Sequence, residues 1–183
     1  LMLCGIAPER VAEVETRLRH HGVRLAGDVT TLRRLAIACP ALPTCGQALG
    51  EAERVLPDLV GDLEEAFADA GVGETPVRLN MTGCPNGCAR PYNAEIGIVG
   101  RTKKNYDIYV GGSPAGDRMA ERLRADVPLD QVAATLAPVL AHFAETGGGS
   151  SFGDWSDKVG VETMATWLPE PTVRRRRAAT AES

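Results

Sequence analysis

The sequence lacks the features that mark a membrane or secreted protein. No run of about 18 apolar residues is present, which is the length that a membrane-spanning helix needs. The first residues also lack the basic region, apolar core and cleavage site of a secretory signal. We therefore expect a cytoplasmic protein that makes no membrane contact.

The sequence also has little excess charge of either sign. Its 183 residues carry a formal net charge of −4, so the overall charge gives no reason to expect binding to nucleic acid. The exception is a run of four arginines at 174–177, which has no aromatic neighbours and no folded frame around it. We interpret residues 169–183 as a disordered basic tail in solvent.

Cysteine is scarce, but four of the five cysteines form two compact pairs. Cys39 and Cys45 enclose five residues, and Cys84 and Cys88 enclose three. In the reducing cytoplasm, paired cysteines are more often metal ligands or redox groups than disulfides. Cys4 stands apart in an apolar run that predicts a strand, so we expect a buried structural thiol there. The two pairs predict one metal site.

The second pair lies on a predicted turn whose residues suit a metal cluster. Pro85 and Gly87 occupy the second and fourth positions of a type I turn, which aims Cys84 and Cys88 to one side. Gly83 and Gly87 leave backbone N–H groups free to approach sulfur, a feature of iron–sulfur sites. The gap of the first pair is longer than structural zinc sites usually have. Spacing alone favours a 4Fe-4S cluster and leaves open a zinc ion, or cysteines that bind no metal.

Apolar periodicity predicts a mixture of strands and helices. Strands are predicted at 1–6, 77–81, 95–99 and 106–110, the last two as an antiparallel hairpin. Helices are predicted at 8–22, 47–57, 57–71, 129–146 and 152–168, with Pro138 bending or dividing the fourth, and a short helix or turn is predicted at 30–38. The predicted fold is α+β, a small and mostly antiparallel sheet with helices packed on it and the cysteine loops at one end.

The residues around the cysteines resemble a known family. The matching segments are Cys39-Pro-Ala-Leu-Pro-Thr-Cys45, Glu51-Ala-Glu-Arg54, Thr82-Gly-Cys-Pro-Asn-Gly-Cys-Ala-Arg-Pro91, Ala94-Glu95 and Ser151-Phe-Gly-Asp-Trp155. Together they closely resemble the C-terminal half of assimilatory sulfite reductase haemoproteins, over roughly residues 1–168. Sirohaem nitrite reductases share both cysteine spacings, but the residues inside the first pair and after the second are more similar to the sulfite branch.

The resemblance implies a ligand set and a reaction. A 4Fe-4S cluster would be bound by Cys39, Cys45, Cys84 and Cys88. Cys88 would also be catalytic, because its thiolate would serve as the axial ligand of a sirohaem iron. The implied reaction is the six-electron reduction of sulfite to sulfide in sulfur assimilation, with electrons from an NADPH-dependent flavoprotein subunit or from ferredoxin. The alternatives are a sirohaem nitrite reductase that forms ammonia, an electron-transfer module without sirohaem, and a zinc-stabilised domain.

Cations are expected near such a site, because sirohaem carries carboxylates and sulfite is an anion. The basic candidates beside the cysteine turn are Arg78, Arg90, Arg101, Lys103 and Lys104. Arg90, two residues after Cys88, is the preferred one, and Arg78 is a further cofactor contact. Asn86 either contacts the cofactor or shapes the turn.

The resemblance also sets the expected domain limits. Residues 1–28 are expected to end a preceding ferredoxin-like half-domain, and residues 29–168 to form the domain that binds the 4Fe-4S cluster and sirohaem. The apolar opening run has no start signal before it, which predicts a missing N-terminal half of the same protein. In the family, that half supplies most of the basic residues that bind sulfite. This chain alone is therefore expected neither to retain sirohaem nor to reduce sulfite.

Overall fold

The computed structural model describes residues 2–170, which form a five-stranded sheet with helices packed against it. The helices are α1 (Val11–His20), α2 (Thr31–Leu35), α3 (Leu56–Asp69), α4 (Val132–Thr146), α5 (Phe152–Val159) and α6 (Val161–Ala165). The strands are β1 (Ile37–Ala38), β2 (Leu79–Thr82), β3 (Ile96–Gly100), β4 (Asn105–Val110) and β5 (Glu121–Pro128). The predicted α+β class is confirmed.

The sheet is mixed, which corrects the expectation of a mostly antiparallel one. Its order is β1-β2-β3-β4-β5, and the pairings β1–β2 and β2–β3 are parallel, whereas β3–β4 and β4–β5 are antiparallel. Parallel neighbours need a crossover of a dozen or more residues. The chain supplies one that contains α3 between β1 and β2, and one that contains the second cysteine pair between β2 and β3. The predicted hairpin is confirmed as β3–β4.

The core lies between the sheet and the two longest helices. Leu59, Leu63 and Phe67 recur at helical spacing on the buried side of α3. Leu136 and Leu140 do the same on α4, and all five belong to one apolar cluster with the inner residues of the strands. Helix α4 continues through Pro138 as one helix rather than two. Residues before and after the proline are buried.

Two predicted elements are not formed. Residues 2–7 make no strand, and α1 buries none of its residues. Residues 46–55 are turns rather than a helix, because the N–H groups of Leu49 and Gly50 donate to the Gly83 carbonyl instead of along a helix.

The remaining differences concern β1, β2, β5 and the last helices. All four residues of β2 are buried, and the face that carries Asn80 is covered by the segment at Ala89 and Arg90. Strands β1 and β5 were not predicted from the sequence, and β1 lies within residues 30–38, where a helix or turn was expected. The predicted helix at 152–168 is two helices, separated by Gly160 at a φ of 80°. No helix within residues 2–170 is long and apolar enough to cross a membrane, and the arginines at 174–177 lie outside the described residues.

Candidate metal-cluster site

The two cysteine pairs follow the ends of two neighbouring strands. Cys39 comes directly after β1, and Cys84 comes two residues after β2 ends at Thr82. β1 and β2 are parallel, with Ala38 paired to Met81, so the loops that follow them leave the sheet at the same edge. An antiparallel pairing of these two strands would have put the loops at opposite edges. The parallel pairing therefore brings the two cysteine pairs together.

Backbone hydrogen bonds join the two loops at Gly83. Its carbonyl accepts from the N–H groups of Leu49 at 2.8 Å and Gly50 at 2.9 Å. Its own N–H donates to the sulfur of Cys39, with 3.4 Å between N and Sγ. A Cβ at position 83 would lie 2.6 Å from both the Ala41 Cβ and the Gly50 oxygen. Only glycine allows this approach of the two loops.

The second pair lies on a closed turn, as the sequence predicts. The Gly87 N–H donates to the Cys84 carbonyl at 3.4 Å, which is the bond that closes a type I turn. Gly87 has a φ of 69°, a conformation that glycine adopts without steric cost. The Thr82 hydroxyl donates to the same Cys84 carbonyl at 3.1 Å. The turn is thus tied to the end of β2.

The four paired thiols differ in their exposure to solvent. Cys84 is buried, Cys39 and Cys45 are half-buried, and Cys88 is exposed. A group that approaches the turn from outside would meet Cys88 first. The two thiols of this pair are therefore not equivalent.

A zinc ion and a 4Fe-4S cluster require different separations of the ligand sulfurs. Zn–S bonds of about 2.3 Å would bring the ligand sulfurs to within about 4 Å of one another. Within residues 2–170, no three His, Cys, Asp or Glu side chains are close enough to hold one metal ion. A 4Fe-4S cluster binds each thiolate at a separate iron, so its ligands lie farther apart. The N–H donor on the Cys39 sulfur also fits an iron–sulfur site.

A family model described as "Nitrite and sulphite reductase 4Fe-4S domain" matches residues 31–175. The chain belongs to this family. It is 41% identical over 161 residues to the sulfite reductase [NADPH] hemoprotein beta-component of Methylobacterium nodulans, covering 87% of this chain and 26% of that protein. The protein of the same name from Myxococcus xanthus is 37% identical over 177 residues, covering 96% of this chain and 30% of its own. The chain thus spans less than a third of these relatives.

A solved structure shares the fold of this 4Fe-4S domain. The Mycobacterium tuberculosis NirA protein matches with a TM-score of 0.72 over 87% of this chain and 31% of its own, at 23% sequence identity. That likeness supports the α+β fold with the mixed sheet.

The basic candidates differ in their surroundings within the domain. Arg90 is exposed, with its backbone in the left-handed region at a φ of 53°. Arg78 is half-buried, and Asn86 is exposed on the turn. The guanidinium of Arg101 lies 3.5 Å from the buried carboxylate of Asp107. Arg101 therefore already has an anionic partner.

Lys103 and Lys104 are exposed in the loop that joins β3 to β4. Such exposure is usual for lysines, which lie mostly at protein surfaces.

The late Phe152-Gly153-Asp154-Trp155 motif is joined to the start of β2 by a buried carboxylate. Glu95 accepts from the Arg78 N–H at 2.9 Å and from the Gly153 N–H at 3.0 Å. A Cβ at Gly153 would lie 2.5 Å from the Gly112 oxygen. The motif therefore packs α5 against the hairpin and brings no reactive group to the thiols.

Two residues that contact the turn are not indicated by the sequence motifs. The Asn80 side chain, on β2, donates to the carbonyls of Ala89 and Arg90. The Tyr92 hydroxyl donates to the Pro85 carbonyl. The only signal for Asn80 is an asparagine in a strand, where that residue type is depleted. For Tyr92, the sequence offers no signal beyond its nearness to Cys88.

The environment of Tyr92 keeps its phenol protonated. Burial is the main cause that raises the pKa of Tyr92, and the nearby Tyr109, Asp107 and Cys84 raise it further. The hydroxyl therefore remains a donor over the whole neutral range.

Cys4 is exposed, not buried as expected. The expected strand around it is absent from residues 2–7, so no sheet covers the thiol.

Proposed function

We propose that this chain is the cluster-bearing C-terminal part of a sirohaem sulfite reductase, which reduces sulfite to sulfide in sulfur assimilation. One observation carries the proposal: two paired-thiol loops leave one edge of the sheet and are joined at Gly83, whose N–H meets the Cys39 sulfur. Sulfite reductase hemoproteins at 41% and 37% identity support the choice of reaction.

Cys39, Cys45, Cys84 and Cys88 are the proposed cluster ligands. The buried Cys84 and the half-buried pair would bind the cluster on the protein side, shielded from solvent. The Gly83 N–H stabilises negative charge on the Cys39 thiolate, which favours the reduced state of a bound cluster.

Cys88 is the proposed link to the second cofactor. Sirohaem, when bound, supplies the iron at which sulfite gains electrons. Cys88 would bind the cluster and would also hold that cofactor, and its exposed thiol supports this role. Arg90, Arg78 and Asn86 are the proposed contacts to the carboxylates of that cofactor.

The rest of the proposal concerns the whole protein. Residues 1–28 would end a preceding ferredoxin-like half-domain, and residues 29–168 would form the cofactor-binding domain. An N-terminal half would supply most of the sulfite-binding cations, and an NADPH-dependent flavoprotein subunit or ferredoxin would supply electrons. The location would be the cytoplasm.

The test compares Cys88→Ser with Cys4→Ser in the whole protein that contains this chain. Cys88→Ser is expected to disturb the absorption of both cofactors and to abolish sulfite reduction. Cys4→Ser is expected to leave absorption and activity nearly unchanged, because that exposed thiol lies outside the paired loops. Bleaching by Cys4→Ser would overturn the ligand set.

Metal analysis and substrate comparison separate the competing functions. One zinc per chain without visible absorption would indicate a zinc-stabilised domain. A cluster without sirohaem would indicate an electron-transfer module. Faster turnover of nitrite than of sulfite would assign the protein to the nitrite branch.

A further inference from the structure

We infer that Asn80 and Tyr92 are positioning residues that fix the Cys84–Cys88 turn from two sides. Neither side chain carries a thiol or a charge, and each contacts backbone carbonyls of the segment that contains Cys88. The inference rests on the proposed function, since positioning these thiols matters only if they bind a cofactor.

Asn80 fixes the backbone immediately after Cys88. Its Nδ2 donates to the Ala89 carbonyl at 2.8 Å and to the Arg90 carbonyl at 3.1 Å. Arg90 has a φ of 53°, which is uncommon for a residue other than glycine. Two bonds from one amide stabilise this conformation in the residues that follow the exposed thiol.

Asn80 is itself part of a rigid base. It lies on β2, paired to Ile37 on one side and Gly97 on the other. A Cβ at Gly97 would lie 2.2 Å from the Pro91 oxygen, so the segment after Cys88 lies directly against the sheet. A contact from Asn80 therefore ties that segment to an inner strand of the sheet.

Packing alone does not account for an asparagine at this position. Asn80 is 4% exposed, and its Oδ1 is buried without a hydrogen-bond partner among residues 2–170. Burying an unpaired acceptor costs free energy that a leucine of similar shape would avoid. The amide is explained by its donors, and both are directed at the Cys88 segment.

Tyr92 fixes the turn between the two thiols. Its hydroxyl donates to the Pro85 carbonyl at 3.0 Å. Its ring lies against Gly87, where a Cβ would be 2.9 Å from the Tyr92 Cε2. The ring also meets Tyr109 edge to face, with 5.1 Å between centroids. Cys88 thus lies between two restrained segments although its thiol is exposed.

The test measures how firmly the whole protein retains its cluster. Asn80→Asp, Asn80→Leu and Tyr92→Phe are compared with wild type by the rate of iron release to a chelator and by the EPR spectrum of the reduced cluster. Asn80→Asp keeps the shape but turns a carboxylate towards two carbonyls, so it should release iron fastest, by at least about tenfold. Asn80→Leu should follow, and Tyr92→Phe should show a smaller increase with shifted or broadened g values.

Matched controls remove equivalent groups away from the turn. Asn105→Leu removes a side-chain amide that donates to Asp126. Tyr109→Phe keeps the ring contact with Tyr92 but removes a hydroxyl that, among residues 2–170, donates to no atom of the turn. Both controls should match wild type in release rate and EPR spectrum.

The outcomes separate this inference from the proposed function. A packing role alone predicts that Asn80→Leu, which is similar in shape and adds no charge, retains its iron as wild type does, and that result would overturn the inference. So would a wild-type spectrum and release rate in Tyr92→Phe, which also decides the matter if Asn80→Asp does not fold. A wild-type protein without iron and acid-labile sulfide would overturn the proposed function and this inference together.

Discussion

At Gly83, the absence of a side chain lets two cysteine loops touch. The carbonyl at this position accepts from two residues of the first loop, and its N–H donates to the Cys39 sulfur. The sequence indicates a glycine that leaves an N–H open to sulfur. It does not indicate that Ala41 and Gly50 occupy the space where a Cβ would lie.

Gly83→Ala is expected to separate the loops and remove most of the bound iron and sulfide. Overpacking of this kind also costs about 1–3 kcal/mol of stability. Iron and acid-labile sulfide per chain provide the measurement. Gly46→Ala is the control, because it lies in the first loop region with nothing within 4 Å of its added Cβ. Equal iron contents in the two variants would contradict the prediction.

Tyr106 is a buried phenol that ties β4 to the segment after the first cysteine loop. Its hydroxyl donates to the Glu51 carbonyl at 2.9 Å. Burial raises the pKa of Tyr106 to about 12, above the value of about 10 for an unfolded tyrosine. The stability linked to the neutral phenol is therefore complete below pH 10 and is lost as the pH rises towards 12.

The effect of Tyr106→Phe on the free energy of unfolding should depend on pH. Near pH 7, the variant loses one hydrogen bond and about 1 kcal/mol of unfolding free energy. Above about pH 10.5, wild type loses stability by phenol ionisation and the variant does not, so the difference narrows or changes sign. Urea unfolding of the metal-free chain at both pH values measures this. A pH-independent difference would contradict the assigned cause.

At the scale of elements, α2 and α3 are joined by a half-buried ion pair. Glu64 of α3 accepts from Arg33 Nε of α2 at 3.0 Å, and Thr30, the N-cap of α2, also donates to it. The hydrogen bond from Arg33 is the main cause that lowers the pKa of Glu64. This pair stabilises the approach of α2, and hence of β1, to the body of the domain.

Glu64→Gln should destabilise the domain by about 1–2 kcal/mol at neutral pH. Because the folded-state pKa is depressed, the carboxylate stabilises the fold above the ordinary glutamate pKa of about 4.3, and this contribution is lost as the pH falls below it. Urea unfolding at pH 7 and near pH 4 should show the difference shrinking. Glu65→Gln, a change at an exposed neighbour, should match wild type at both.

Elements with a strong local pattern were predicted well, and those fixed by distant contacts were not. The predicted strand at 77–81, the β3–β4 hairpin and the long helix α3 carry their signal in neighbouring residues. Residues 46–55 carry a helical pattern too, but hydrogen bonds to Gly83 override it. The parallel pairing of β1 with β2 depends on residues far apart in the chain, so no local pattern contains it. For the same reason, no local pattern shows that the Asn80 side chain contacts the Ala89 and Arg90 carbonyls.

At the scale of the whole molecule, the chain spans 26% to 30% of the curated relatives described above. Cys88 is exposed, and Arg90 and Asn86 are exposed beside it. A large cofactor at this surface would contact the chain on one side only. Most of the contacts needed to retain it would then come from elsewhere in a longer protein.

The isolated chain is therefore expected to accept a cluster but neither to retain sirohaem nor to reduce sulfite above background. Anaerobic reconstitution, followed by absorption spectra and a sulfide assay, tests this, with the whole protein as the positive control. Sirohaem bands and sulfite turnover from the purified chain would contradict the expectation.

The joining of the two loops at Gly83 also bears on how the protein withstands oxygen. On the proposed ligand set, an intact cluster cross-links Cys39 to Cys84, about 45 residues away along the chain. A cross-link over that distance lowers the entropy of the unfolded chain and thereby stabilises the fold by about 4 kcal/mol. Oxidative loss of the cluster would then remove a stabilising cross-link as well as the electron carrier. The damaged protein would therefore unfold more readily and be cleaved faster by proteases, in addition to losing activity.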